Sequence, residues 1–220
     1  TEIRRTALQH GLEIVGLHML LWSPAGMHAT HPDPGVRAAT AAYLVELARF
    51  CAEVGGRIMV FGSPKQRNAI PPLTPSEAAP LWLDTLQPAL RVCEQEGITL
   101  LLEPLPETDV VQRLSEAVAL VQQANHPNLR TMLDVKSALA ETTDVPALIH
   151  QYAPYLAHVH LNDSNLRAPG YGATDFAPIL SALRAVGYTG WASLEPFDYY
   201  PDPETMVREA LCYLRACERA

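Results

Sequence analysis

Along the chain, long amphipathic stretches alternate with short apolar runs that end on a polar or ionisable residue, and the pattern repeats six times. Residues 2–10 lead through Gly11 into LEIVGLHML, 36–54 through Gly55-Gly56 into RIMVFGSP, and 77–96 through Gly97 into ITLLLEPL. Residues 112–124 lead through His126-Pro127 into LRTMLDV, 144–156 into AHVHLND, and 174–186 through Gly187-Tyr188 into WASLEPF, with one more helical stretch over 202–219. Helical spacing closed by Gly or Pro predicts helices for the polar stretches. The apolar runs are too short for helices and too continuous for strands with one wet face. A parallel sheet covered by helices on both faces needs such runs, so the predicted class is α/β.

The position of the ionisable residues chooses between two α/β architectures. No Gly-rich phosphate fingerprint follows any strand, which disfavours a doubly wound dinucleotide fold. Instead Glu103, Asp134, His160 and Glu195 stand at the carboxyl ends of successive predicted strands, one βα unit apart. In a closed barrel these ends converge on one mouth. The prediction is therefore a single domain over 1–220 of the (β/α)8 TIM-barrel type, short at its amino-terminal side, with six strands visible and the first one or two βα units lacking. Unpaired outer strands are an association hazard. They are expected to be covered by a second copy or partner chain, by rearranged segments such as 21–35 and 63–80, or by an amino-terminal part outside this sequence.

Composition narrows the function classes. The 220 residues carry 16 Lys and Arg against 24 Asp and Glu, a net charge of −8, and 48% of them are hydrophobic. This excludes disorder, and no apolar run reaches the roughly 18 residues of a membrane span. Nucleic-acid affinity rests on clustered cations, which are absent here, so neither nucleic acid nor membrane is an expected partner. Cys51, Cys93, Cys212 and Cys217 form no C-x-x-C pair and fall in predicted helices. They read as reduced packing thiols, and with a polar amino terminus of no signal-peptide character they suggest a cytoplasmic protein.

Three carboxylates and one imidazole form a donor set suited to one divalent metal ion, with hard oxygen ligands favouring Mn²⁺ and leaving Mg²⁺, Co²⁺ or Zn²⁺ open. Any one Glu at a strand end is usually solvated; four ionisable groups in the same relative place are harder to explain that way. Taken in order, LLLEPL, TMLDVKSA, HVHLNDS and WASLEPF resemble the xylose isomerase-like TIM-barrel superfamily of sugar isomerases and epimerases, over about residues 7–217. The segments from Pro169 to Phe176 and from Ala182 to Gly190 resemble the family's loop and helix after the His strand.

The resemblance implies metal ligation by Glu103, Asp134, His160 and Glu195, and a ketose or keto-cyclitol substrate. A metal that binds the carbonyl and a neighbouring hydroxyl stabilises the enediolate left when the adjacent C–H proton is removed. Glu103 and Glu195 would be the catalytic base and acid; exchange of a proton between opposite faces inverts one carbon. One departure stands out: family epimerases place His three residues after the Asp, and here the residue is Ser137. Lys136 is a candidate substitute donor, and Arg167, in a loop that donates an Arg to the sugar, a candidate substrate ligand. His18, at the end of the first strand, is a third candidate for substrate binding.

His158 should lie one layer deeper on the face of His160. Asn162 and Asp163 are candidates for orienting the His160 imidazole or for capping the turn, and Trp22, Phe61, Phe197, Tyr199 and Tyr200 for apolar walls against the sugar. Other readings are an inosose dehydratase-like lyase and a non-catalytic sugar-binding or assembly subunit of the same fold. An apurinic endonuclease, which HLNDS also resembles, needs more early-strand histidines than the chain has.

Overall fold

A computed structural model describes residues 1–219. The chain divides into two compact units, Thr1–Gln112 with Glu116–Thr131, and Arg113–Ser115 with Met132 onward. Six strands follow one another in sequence order in a parallel sheet, and the fourth, Leu129–Asp134, passes from the first unit into the second.

In the first unit, α1 (Glu2–Gln9), β1 (Gly16–Leu17), α2 (Pro34–Val54), β2 (Ile58–Phe61), α3 (Pro75–Glu96) and β3 (Thr99–Leu102) alternate, followed by α4 (Leu114–Ala124) from Glu116 onward and the start of β4 (Leu129–Asp134). Asp33 caps α2 by accepting from the Gly35 N–H, and Thr74 and Glu77 form a reciprocal capping box at α3. Gly55 and Gly97 end these helices at φ +94° and +67°, a left-handed conformation that a side chain would strain. Registers run Ile58↔Thr99 to Phe61↔Leu102 and Leu100↔Leu129 to Leu102↔Thr131. Met59, Val60 and Phe61, and Leu100, Leu101 and Leu102, are buried at every position, as strands covered on both faces must be.

The first strand is shorter than its apolar run predicts. Only Gly16 and Leu17 pair, with Ile58 and Met59, because Met19 at φ +54° turns the chain away. Residues 21–35 and 63–80, expected to cover a sheet edge, are tied to each other and to α3. The Ala29 N–H donates to Gln66 O, the Thr30 hydroxyl to Asn68 O, and the Thr85 hydroxyl to Ala29 O.

The second unit contains the end of β4, then α5 (Val135–Glu141), α6 (Val145–Tyr152), β5 (Leu156–Leu161), α7 (Ala177–Ala185), β6 (Ala192–Leu194) and α8 (Pro203–Cys217). Its core joins Leu133, Val159 and Leu161 from the strands to Ile149, Phe176, Ile179, Leu183 and Leu214. β5 and β6 pair from Val159↔Ala192 to Leu161↔Leu194. Helix α5 is absent from the sequence-based expectation: it begins directly on the last strand residue, with Asp134 as its cap and no intervening loop. Among the described residues no helix is long and apolar enough to cross a membrane.

Candidate metal centre

In the second unit, Asp134 closes β4, His160 is the penultimate residue of β5, and Glu195 directly follows β6. His160 Nδ1 lies 3.1 Å from Glu195 Oε2 and 3.9 Å from Asp134 Oδ2. Asp134 and His160 are each only 3% exposed. Asp134 is divided between two tasks. Its Oδ1 accepts the Ser137 N–H at 2.7 Å, which caps α5, while Oδ2 faces the imidazole. Parallel pairing holds Glu195 beside the His160 strand, its N–H donating to Leu161 O.

Asn162 binds the two carboxylates together. Its Nδ2 donates to Asp134 Oδ2 at 2.7 Å and to Glu195 Oε2 at 3.0 Å, and its Oδ1 accepts the Lys136 N–H at 2.9 Å. The expected alternatives for Asn162 were orienting the imidazole or capping the turn. The structure puts its amide on the acids, a role that sequence spacing alone does not disclose. Two carboxylates beside an imidazole in a largely buried space are a donor set of the kind that suits a divalent cation of the harder type.

In the first unit, Glu103 directly follows β3 and is 2% exposed. Its Oε2 lies 3.7 Å from His18 Nε2. Gly62 makes room for it, because a Cβ at that position would collide with Glu103 Oε2. Arg67, missed in the sequence, fastens the backbone behind this acid. Wholly buried, it donates from Nη1 to Glu103 O at 2.7 Å and from Nη2 to Val111 O at 3.3 Å, with its guanidinium 4.8 Å from the Trp82 ring centre. Burial pulls the Arg67 pKa down to about 10, opposed by the charges of Glu103 and Glu107.

The remaining candidates fall into distinct places. Arg167 Nε is bonded to Asp198 Oδ2 at 2.8 Å and its guanidinium lies 5.0 Å from the Tyr200 ring centre. This hydrogen bond is the main reason the Asp198 carboxyl sits below the usual carboxylate range. Lys136 Nζ lies 5.9 Å from the Phe197 ring centre. His158 is buried with its ring edge-on to His160 at 5.1 Å, the deeper layer expected of it. Asp163 organises the following loop, accepting from the Ser164 and Thr174 N–H groups and the Thr174 hydroxyl. Trp22, Phe197, Tyr199 and Tyr200 are exposed, whereas Phe61 is a core residue packed on Trp82 at 5.0 Å, not a wall of the site. Ser137 is buried, and its hydroxyl has no partner among the described residues.

The profile of the xylose isomerase-like TIM barrel matches residues 1–217. The chain belongs to this family. A D-psicose 3-epimerase from Ruminiclostridium cellulolyticum is 26% identical over 180 residues, which cover 79% of this chain and 60% of that protein. The chain thus spans less than two thirds of that relative. A 3-keto-D-glucoside 4-epimerase from E. coli superposes with a TM-score of 0.86 at 21% identity, covering 98% of this chain and 84% of that one. A D-psicose 3-epimerase from Clostridium cellulolyticum, solved with D-tagatose, gives 0.86 at 21% identity, with 99% and 82% covered. At these identities the superpositions speak for the fold.

Proposed function

We propose that the chain is a divalent-metal-dependent epimerase or isomerase of a ketose or keto-cyclitol, with Glu103, Asp134, His160 and Glu195 holding one ion. The approach of the Asp134 and Glu195 carboxylates to the His160 imidazole carries this reading. Glu103 is supported as the fourth ligand by topology: it follows β3, whose Leu102 pairs in parallel with Thr131 of β4, so it leaves its strand in the direction in which β4 runs to Asp134. The relatives that match in sequence include 3-epimerases of ketoses, and Mn²⁺ suits the mixed oxygen and nitrogen set.

When bound, the ion would polarise the substrate carbonyl and acidify the adjacent C–H. Glu195 and Glu103 are then the proton carriers. One carboxylate takes the proton from carbon and becomes the acid; the other, protonated, returns a proton to the opposite face and becomes the base. His18, whose Nε2 lies 3.7 Å from Glu103 Oε2, is proposed to hydrogen-bond a substrate hydroxyl. Lys136 and Arg167 are proposed as contacts to the rest of the sugar, with Arg167 already oriented by Asp198. The buried thiols of Cys51 and Cys93 suit a reducing, cytoplasmic setting.

Incubation of the Mn²⁺-loaded protein with a panel of ketoses and inososes, followed by separation of the products, tests the reading. A substrate epimer or aldose isomer is expected. Release of water with an unsaturated product would replace it with a dehydratase, and unchanged sugars throughout would leave a binding subunit.

A further inference from the structure

We infer that Asn162 is a positioning residue that sets the Asp134 and Glu195 carboxylates for a shared cation before the cation arrives. The inference rests on the metal-dependent reading above and adds a residue outside its ligand set. Asn162 is fully buried, and every group of its amide is engaged: its Nδ2 donates to the two acids and its oxygen accepts the Lys136 N–H. These partners also fix the orientation of the amide. Turned over, it would set its oxygen against two carboxylates and its N–H groups against the Lys136 N–H.

The two oxygens it holds, Asp134 Oδ2 and Glu195 Oε2, are those nearest His160 Nδ1. Each carboxylate oxygen has a second lone pair, so a donor on one side leaves the other side for a cation. A neutral double donor offsets the mutual repulsion of the acids without adding a charge that would compete with the ion. The Lys136 link makes the arrangement stiff, because it ties the amide to the first turn of α5, the helix that Asp134 caps. Hydrogen-bond partners of metal ligands commonly contribute in this way.

The test is a calorimetric Mn²⁺ titration of the intact protein and of Asn162→Ala and Asn162→Ser, with the electron paramagnetic resonance spectrum of the bound Mn²⁺ recorded for each. Asn162→Ala is expected to weaken binding by about 10–100-fold and Asn162→Ser, which keeps one donor, by less. The spectrum of each variant should show an altered ligand field, which a loss of general stability would not produce. Circular dichroism establishes that the variants are folded; if Asn162→Ala is not, Asn162→Ser decides alone. Affinities within about twofold of the parent, with an unchanged spectrum, overturn the role of Asn162 and leave the metal reading standing. A parent protein that binds no divalent ion overturns both.

Discussion

Gly62 shows how closely backbone and acid are fitted. Any Cβ there would enter the space of Glu103 Oε2, so Gly62→Ala must displace the carboxylate or the strand end. Because the carboxylate is the end of a flexible side chain it can swing aside, so the denaturation midpoint should change little while Mn²⁺ affinity falls. Glu195→Gln removes a charge and, on the proposed mechanism, a proton carrier while keeping the shape, so proton exchange should drop by about 10²–10⁴-fold with the fold retained. Exchange near the parental rate would take Glu195 out of the chemistry. The thiols allow an independent check on the packing: burial pushes Cys51 up to about 11 and Cys93 up to about 12, whereas Cys212 is exposed. An alkylating reagent at neutral pH should therefore spare Cys51 and Cys93 until the protein is unfolded. Glu103, Asp134, His160 and Glu195 stood out as candidates because ionisable groups end apolar runs; Arg67 did not, and Asn162 did without its carboxylate partners, because those partners are backbone atoms or acids distant in the sequence.

At the scale of elements, Asp134 serves two of them, ending β4 and capping α5. Asp134→Ala should lose the cap at a cost of about 0.5–2 kcal/mol as well as the proposed metal ligand. Asp134→Asn should keep most of that stability and still lose Mn²⁺ binding; equal destabilisation by the two variants would show that the cap contributes little. This double use explains why α5 escaped the reading of the sequence. A helix that starts on the last strand residue leaves no polar loop to mark its start, and Val135-Lys136-Ser137 continues smoothly from TMLD. The long helices were legible for the opposite reason, since Asp33 and Thr74 before them and Gly55 and Gly97 after them are strong stops. The shortening of β1 depends on a left-handed Met19, a residue type that gives no warning of that conformation.

For the molecule as a whole, the order of six βα repeats was enough to reach the class, since buried parallel strands leave a clear pattern of apolar runs, while the family was reached through the resemblance of the strand-end motifs from LLLEPL to WASLEPF. The sugar was not legible, because the side chains proposed to contact it, Arg167 and Lys136, lie in loop and helix segments whose partners, Asp198 and Phe197, are far along the chain. A cation that binds only the folded chain adds stability, about 2.7 kcal/mol at a hundredfold excess over its dissociation constant. Thermal unfolding should accordingly shift upward with Mn²⁺ and return on chelation. The most direct measurement is solvent deuterium incorporation into ketoses and inososes by metal-stripped protein, before and after Mn²⁺ is restored. The account predicts deuterium at a carbon next to the carbonyl of at least one substrate, only with the ion present; incorporation at the same rate without any divalent ion, or none in its presence, would contradict it.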